Sequence, residues 1–201
     1  MQSGGSAELW KAYFGRRLVY HGVDVNPLCK EFEDVSQNVF VHVGDATDAS
    51  FVAPLAERVL PDIVVDDGSH YPGDMRKSFE ALYPLVSKTG CYLVEDCMTN
   101  YWRDFGGGPR RDTFVEFAKR LVDSLNAFNV ADFEAGYDAS NPPTIYDDPA
   151  TMPDAPAVKF AASTWSLCFY DGVVVFERLP RTHFKHVRRG DAVVPHLPGA
   201  G

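Results

Sequence analysis

Asp67, His70, Glu95 and Asp96 set oxygen donors and one imidazole at the close of two short apolar runs. Ile63-Val64-Val65 runs into Asp66-Asp67-Gly68-Ser69-His70, and Cys91-Tyr92-Leu93-Val94 runs into Glu95-Asp96. If both runs are neighbouring strands, their carboxylates converge and repel unless a positive charge sits between them. Mg²⁺ suits that need, because it takes hard oxygen ligands and keeps positions open for water or substrate. His70 lies one turn beyond Asp67, within reach of a group held there, and an imidazole near its working pKa is a natural general base. The same pattern also fits a plain strand-to-helix turn whose aspartates cap the helix and whose histidine lies on its surface.

A second constellation joins Gly4-Gly5-Ser6 to Asp24 and Asp45. A glycine turn opening a helix lets a ligand approach the backbone closely. An acid closing the next strand can accept hydrogen bonds from ribose hydroxyls, and one closing the strand after it can reach an adenine edge.

The elements needed to position these residues are legible as alternating strand and helix patterns. Ser6 to Phe14 reads as a helix capped by Ser6, with Leu9, Trp10, Tyr13 and Phe14 along one side and Gly15 ending it. Strands are expected over 18–23, 39–43, 63–65 and 91–94, each ending in an acid: Asp24, Asp45, Asp66/Asp67 and Glu95/Asp96. Helices are expected over 50–60, where Phe51, Leu55 and Val59 recur at helical spacing, and after His70, with Met75, Phe79, Leu82 and Val86 facing inward until Gly90 stops it. Such alternation with short connections specifies a parallel sheet covered on both faces, with its ligand crevice at the carboxyl ends of the strands. Beyond Gly106-Gly107-Gly108 a helix is expected over 113–128, a long loop or lid over 135–156, and strands over 163–170 and 173–178. Asp171-Gly172 between the last two is a hairpin signal.

With these segments in order, the chain resembles the class I S-adenosylmethionine-dependent methyltransferases. Within them it is most similar to the metal-dependent O-methyltransferases that act on sugars of macrolides and related polyketides. The segments that carry the likeness are GGSAELWKAYF, YHGVDVNP, GDATD, PDIVVDDGSH, YLVEDCMTNYW, RLVDSLNAF and SLCFYDGVVVFERLP, from Gly4 to Pro180. The resemblance implies S-adenosyl-L-methionine and Mg²⁺ as cofactors. It assigns Mg²⁺ to Asp67, Glu95 and Asp96, the general base to His70, and the acceptor side to Tyr101 and Trp102. The cofactor falls to Gly4, Gly5, Ser6, Asp24, Asp45 and Asp67. The implied reaction deprotonates one of two vicinal sugar hydroxyls, which then takes the sulfonium methyl group in line. A catechol or phenol acceptor, whose vicinal oxygens also chelate Mg²⁺, is the enzymatic alternative. A non-catalytic methyltransferase-like subunit is the other.

The implied fold is an α/β, Rossmann-like class I methyltransferase sheet with a C-terminal antiparallel hairpin. The likeness begins inside the family's first motif, so the first strand, which is central in that fold, is expected to be lacking. Either the start of the gene is assigned too far downstream, with Met1 where the family has a valine, or the chain is a remnant that binds the cofactor poorly. The catalytic domain is then 1–180, followed by a basic tail over 181–201 that carries Arg181, Lys185, Arg188 and Arg189.

Composition narrows the partners. A chain of 201 residues that is 45% hydrophobic can bury one sizeable core but not two. Lys and Arg total 19 against 28 Asp and Glu, a net charge of −9 that disfavours nucleic acid or an anionic membrane as the main partner. No apolar run is long enough to span a bilayer, and no secretory signal opens the chain. Cys29, Cys91, Cys97 and Cys168 lack paired metal-site spacing and read as reduced thiols. A cytoplasmic enzyme with a small-molecule acceptor is expected, as a homo-oligomer because a gap in the sheet would leave apolar surface bare.

Overall fold

The computed structural model describes residues 4–109, 112–129, 156–181 and 190. The chain opens with helix α1 (Gly5–Phe14), entered through Gly4 at φ 72°. A side chain at Gly4 would bring a Cβ to 2.8 Å from the Phe32 ring, so the turn needs glycine for both its dihedral and its clearance. The expected cap does not form: Ser6 lies inside α1 and no side chain caps the helix. Of α1 only Ala7 is buried, and the apolar side with Leu9 and Tyr13 is exposed.

Strands β1 (Tyr20–Asp24) and β2 (Val39–Val43) pair in parallel, with Asp24 opposite Val43. β1 starts two residues later than the apolar run suggests, because the Leu18 amide closes the 3-10 turn Gly15–Arg17 by donating to Gly15 O. Helix α2 (Ala49–Val59) is capped by Asp48, whose carboxylate accepts the Ser50 amide at 2.9 Å. Strand β3 (Ile63–Asp66), helix α3 (Pro72–Leu82) and strand β4 (Cys91–Val94) form the second parallel unit, with Asp66 opposite Val94. α3 stops short of Val86 because Pro84 has no amide proton to continue the ladder, and the chain tightens into the 3-10 turn Tyr83–Leu85.

Helix α4 (Phe114–Leu125) is capped by Thr113 and ends three residues before Phe128, where the Asn126 side chain donates to Val122 O. Helix α5 (Pro156–Ser163) is an element that the sequence pattern did not announce. Strands β5 (Thr164–Tyr170) and β6 (Val173–Arg178) make the expected hairpin, with Gly172 at φ 72° in its turn. β6 docks antiparallel on β4, so the larger sheet runs β3-β4-β6-β5.

The α/β architecture with a terminal hairpin is as expected, but the strands form two sheets. Among the described residues β1-β2 is one sheet and no strand pairs β1 with β3. The core lies between the larger sheet and helices α3 and α4, around Tyr92, Phe176, Phe114 and Phe79. The Phe79 and Phe176 ring centroids are 4.4 Å apart. Arg178, at the end of β6, donates to the carbonyls of Tyr83, Pro84 and Val86, which ties the sheet to the turn that ends α3.

All four cysteines are free thiols, with Cys29 and Cys97 buried. Arg181, where the basic tail was expected to begin, donates to the carbonyls of Leu125 and Thr164 and lies over the Phe128 ring. Apart from Pro156 and Gly190, the 135–156 segment and the tail from Thr182 onward lie outside the described residues. Among the described residues no helix is long and apolar enough to cross a membrane.

Candidate metal and base centre at the ends of β3 and β4

Parallel pairing of β3 with β4 puts their carboxyl ends side by side, and the Glu95 amide donates to Asp66 O at 3.0 Å across that edge. The chain leaves β3 through Asp67-Gly68-Ser69 and turns at His70, which has φ 59°. It leaves β4 through Glu95 and turns at Asp96, which has φ 51°. Both are left-handed conformations that side chains adopt reluctantly, and both sit where chemistry is expected.

These turns bring the ends of three side chains together. Asp67, His70 and Asp96 each offer one ligand atom, all within 4.8 Å of one another. His70 Nε2 lies 3.5 Å from Asp96 Oδ2 and 3.9 Å from Asp67 Oδ1. His70 Nδ1 is buried with no hydrogen-bond partner among the described residues, and Nε2 is the ring atom turned toward the acids.

Two further acids feel the arrangement. Burial raises the Glu95 pKa, helped by the negative charges of Asp67 and Asp96 and opposed by His70. Its carboxylate is not part of the close group, though it lies within electrostatic range of it. Burial also pushes the Asp66 carboxyl up to about 6, against the Tyr92 hydroxyl that donates to it at 2.9 Å. The Tyr20 phenol is raised by burial and then by the charge of Asp67, so β1 also comes within range.

The donor set fits a hard divalent cation. Carboxylate oxygens dominate it, and the acids carry a mutual repulsion that a cation would relieve. Asp67 and Asp96 would hold such an ion, with Glu95 as a third acid nearby.

The remaining candidate residues fall into two places. Asp24 accepts the Asn26 amide at 2.8 Å, and Asp45 accepts the Thr47 amide and hydroxyl, each at 2.8 Å. Both therefore sit in tight turns that follow strands of the other sheet, and neither belongs to the close group. Gly4, Gly5 and Ser6 form the start of α1. Tyr101 and Trp102 are 54% and 51% exposed at the end of the 3-10 turn Cys97–Tyr101, so neither is ordinary core packing. Trp102 lies 6.0 Å from the Phe105 ring, which lies 5.4 Å from Tyr71, the residue after His70.

Sequence reasoning missed the aromatic pair Tyr71 and Phe105 and the Asp66–Tyr92 hydrogen bond. The second had a signal. Tyr92 pairs with Val64, two residues before Asp66, so period-2 alternation sets all three side chains on one face of the sheet.

No family model matches the chain. It is 42% identical over 126 residues to the 8-demethyl-8-alpha-L-rhamnosyl tetracenomycin-C 2'-O-methyltransferase of Streptomyces olivaceus, a match that covers 61% of this chain and 32% of that protein. It is 42% identical over 127 residues to the demethylmacrocin O-methyltransferase of Streptomyces fradiae, covering 61% of this chain and 31% of that one. With the mycinamicin VI 2''-O-methyltransferase of Micromonospora griseorubida the identity is 39% over 127 residues, with the same two shares. The chain thus spans about a third of the length of the curated relatives it matches. Among solved structures it is similar to MycE, a methyltransferase from the mycinamycin biosynthetic pathway, in complex with Mg, SAH and mycinamycin VI. The TM-score is 0.69 at 29% identity, over 88% of this chain and 40% of that one. The likeness to sugar O-methyltransferases drawn from the motifs therefore holds in sequence, and the α/β methyltransferase fold is shared with MycE.

Proposed function

We propose that this chain is the catalytic part of an O-methyltransferase that uses S-adenosyl-L-methionine and Mg²⁺ to methylate a sugar hydroxyl of a glycosylated natural product. The observation that carries this reading is the meeting of Asp67, His70 and Asp96 within 4.8 Å at the ends of β3 and β4. The relatives named for that reaction, and the Mg and SAH bound in MycE, support it.

When bound, S-adenosylmethionine supplies the methyl group and the cation lowers the pKa of the acceptor hydroxyl. Asp67 and Asp96 hold the cation from adjacent strand ends, with Glu95 beside them. His70 takes the hydroxyl proton at Nε2, the ring nitrogen that lies 3.5 Å from Asp96 Oδ2 and 3.9 Å from Asp67 Oδ1. Gly4, Gly5 and Ser6 would let the cofactor approach the start of α1, Asp24 would accept from its ribose hydroxyls, and Asp45 would meet its adenine. Tyr101 and Trp102 face the acceptor with exposed rings, whose apolar faces suit sugar and polyketide surfaces.

In the same reading the two sheets are halves of one sheet with a further parallel strand between β1 and β3. Its support is that, among the described residues, each of these strands pairs on one edge alone. A homo-oligomer and a cytoplasmic location belong to the reading as well, and the exposed apolar side of α1 supports the first.

Calorimetric titration of S-adenosylhomocysteine into the 201-residue chain with Mg²⁺ present is the test. Micromolar binding, followed by Mg²⁺-dependent methylation of a glycosylated macrolide in preference to a catechol, is the expected result. A preference for the catechol would replace the sugar acceptor with an aromatic one. No binding, even after a parallel strand is supplied upstream, would leave a methyltransferase fold without the activity.

A further inference from the structure

Thr99 lies in the 3-10 turn Cys97–Tyr101 and is 3% exposed. Its hydroxyl oxygen is 2.7 Å from the carbonyl oxygen of His70 and 2.8 Å from that of Asp96. Those carbonyls belong to the two left-handed residues of the centre, at φ 59° and 51°. A hydroxyl carries one proton, so Thr99 shares a single donor between two acceptors 26 residues apart in the chain.

Holding a carbonyl oxygen fixes the peptide plane that follows its residue. Thr99 therefore sets the rotation of both peptides: Asp96–Cys97 through its hydroxyl and its amide, which donates to Asp96 O at 3.0 Å, and His70–Tyr71 through the hydroxyl. Left-handed backbone at a residue with a side chain relaxes unless its surroundings hold it. Rotation of either peptide would swing the imidazole or the carboxylate away from Asp67.

The turn that carries Thr99 is itself fixed on four sides. Asn100, 1% exposed, donates to Met75 Sδ of α3 and accepts the Val115 amide at 3.1 Å at the start of α4. The Cys97 amide donates to Gly172 O in the hairpin turn, and the Gly108 amide to Asn100 O. Gly107 passes so close that a Cβ there would lie 2.5 Å from Thr99 O and 2.4 Å from Asn100 O. The hydroxyl is thus presented from a rigid base.

We propose that Thr99 is a positioning residue: its buried hydroxyl locks His70 and Asp96 in their left-handed conformations, so that the imidazole base and the cation-binding carboxylate meet Asp67 as one group. The inference rests on the metal-and-base reading of that group, and its test separates the two.

Thr99→Val removes the hydroxyl at nearly constant volume, and Thr99→Ser keeps it. The full 201-residue chain of each variant is titrated with Mn²⁺ by calorimetry, and the backbone amide resonances of Tyr71 and Cys97 are recorded without metal. Urea midpoints control for unfolding. Thr99→Val is expected to weaken Mn²⁺ binding by about tenfold or more and to shift both amides. Thr99→Ser is expected to keep wild-type affinity and wild-type resonances. Wild-type affinity in Thr99→Val, or equal losses in both variants, would overturn the proposal. If the wild-type chain binds no Mn²⁺, the metal reading fails and the amides decide alone: paired shifts in Thr99→Val uphold the lock, and their absence refutes it.

Discussion

Asp67 and His70 sit three residues apart in one loop, yet the geometry gives them separable tasks. Asp67 faces Asp96 and the imidazole with an exposed carboxylate, whereas His70 turns one nitrogen to the acids and buries the other. Asp67→Ala is expected to weaken Mg²⁺ binding by about tenfold or more, read by calorimetry. His70→Ala is expected to leave S-adenosylhomocysteine affinity unchanged while methyl transfer falls by about 10²-fold or more. A His70→Ala chain with near-normal turnover would remove the base assignment. The residue types at 67, 70, 95 and 96 were legible because strand-end acids with a nearby histidine form a recurrent chemical pattern. The withdrawal of Glu95 from the close group was not, since two adjacent residues leaving a strand point in different directions according to the turn that follows.

At the scale of elements, β1 and β2 carry an unusual pair. His21 Nδ1 and His42 Nε2 are 3.0 Å apart, with stacked rings, and His21 also stacks on Phe40. Burial lowers both pKa values below 6.5. The His42 ring and the Arg58 charge add to the lowering at His21, and Lys30 and Arg58 add to it at His42, where Glu33 opposes them. A histidine whose folded pKa is depressed binds fewer protons in the native state than in the unfolded one. The stability it contributes is therefore present above the unfolded pKa of about 6.5 and is lost as pH falls below it. His42→Gln is expected to flatten the fall in Tm between pH 7.5 and 5.5 relative to wild type. An unchanged slope would remove the pair as a source of acid sensitivity. In the larger sheet, Phe176 on β6 is fully buried against Phe79, Tyr83 and Phe114. Phe176→Ala should cost about 3–5 kcal/mol, read as a lower urea midpoint. Most elements were readable from periodicity, but the true end of α3 depended on Pro84, and α5 is too short to show a helical stripe.

For the whole molecule, the larger sheet and its helices make a packed core, while β1-β2 with α1 leaves Leu9, Tyr13 and Val19 exposed. On the reading of one sheet with a strand between β1 and β3, supplying that strand is expected to raise Tm and tighten S-adenosylhomocysteine binding together, because both depend on closing the same gap. A gain in one without the other would separate the fold from the cofactor site. The sequence by itself determined the alternation of strands and helices, the acids at the strand ends, the terminal hairpin and the likeness to sugar O-methyltransferases. Each of those is written in local periodicity, turn residues or short motifs. Tertiary structure alone decided that β6 inserts antiparallel beside β4. It also decided that a threonine hydroxyl reaches across 29 residues to His70. Those outcomes come from pairing between distant segments, and a backbone carbonyl's partner is chosen by where the chain returns, which no local pattern encodes.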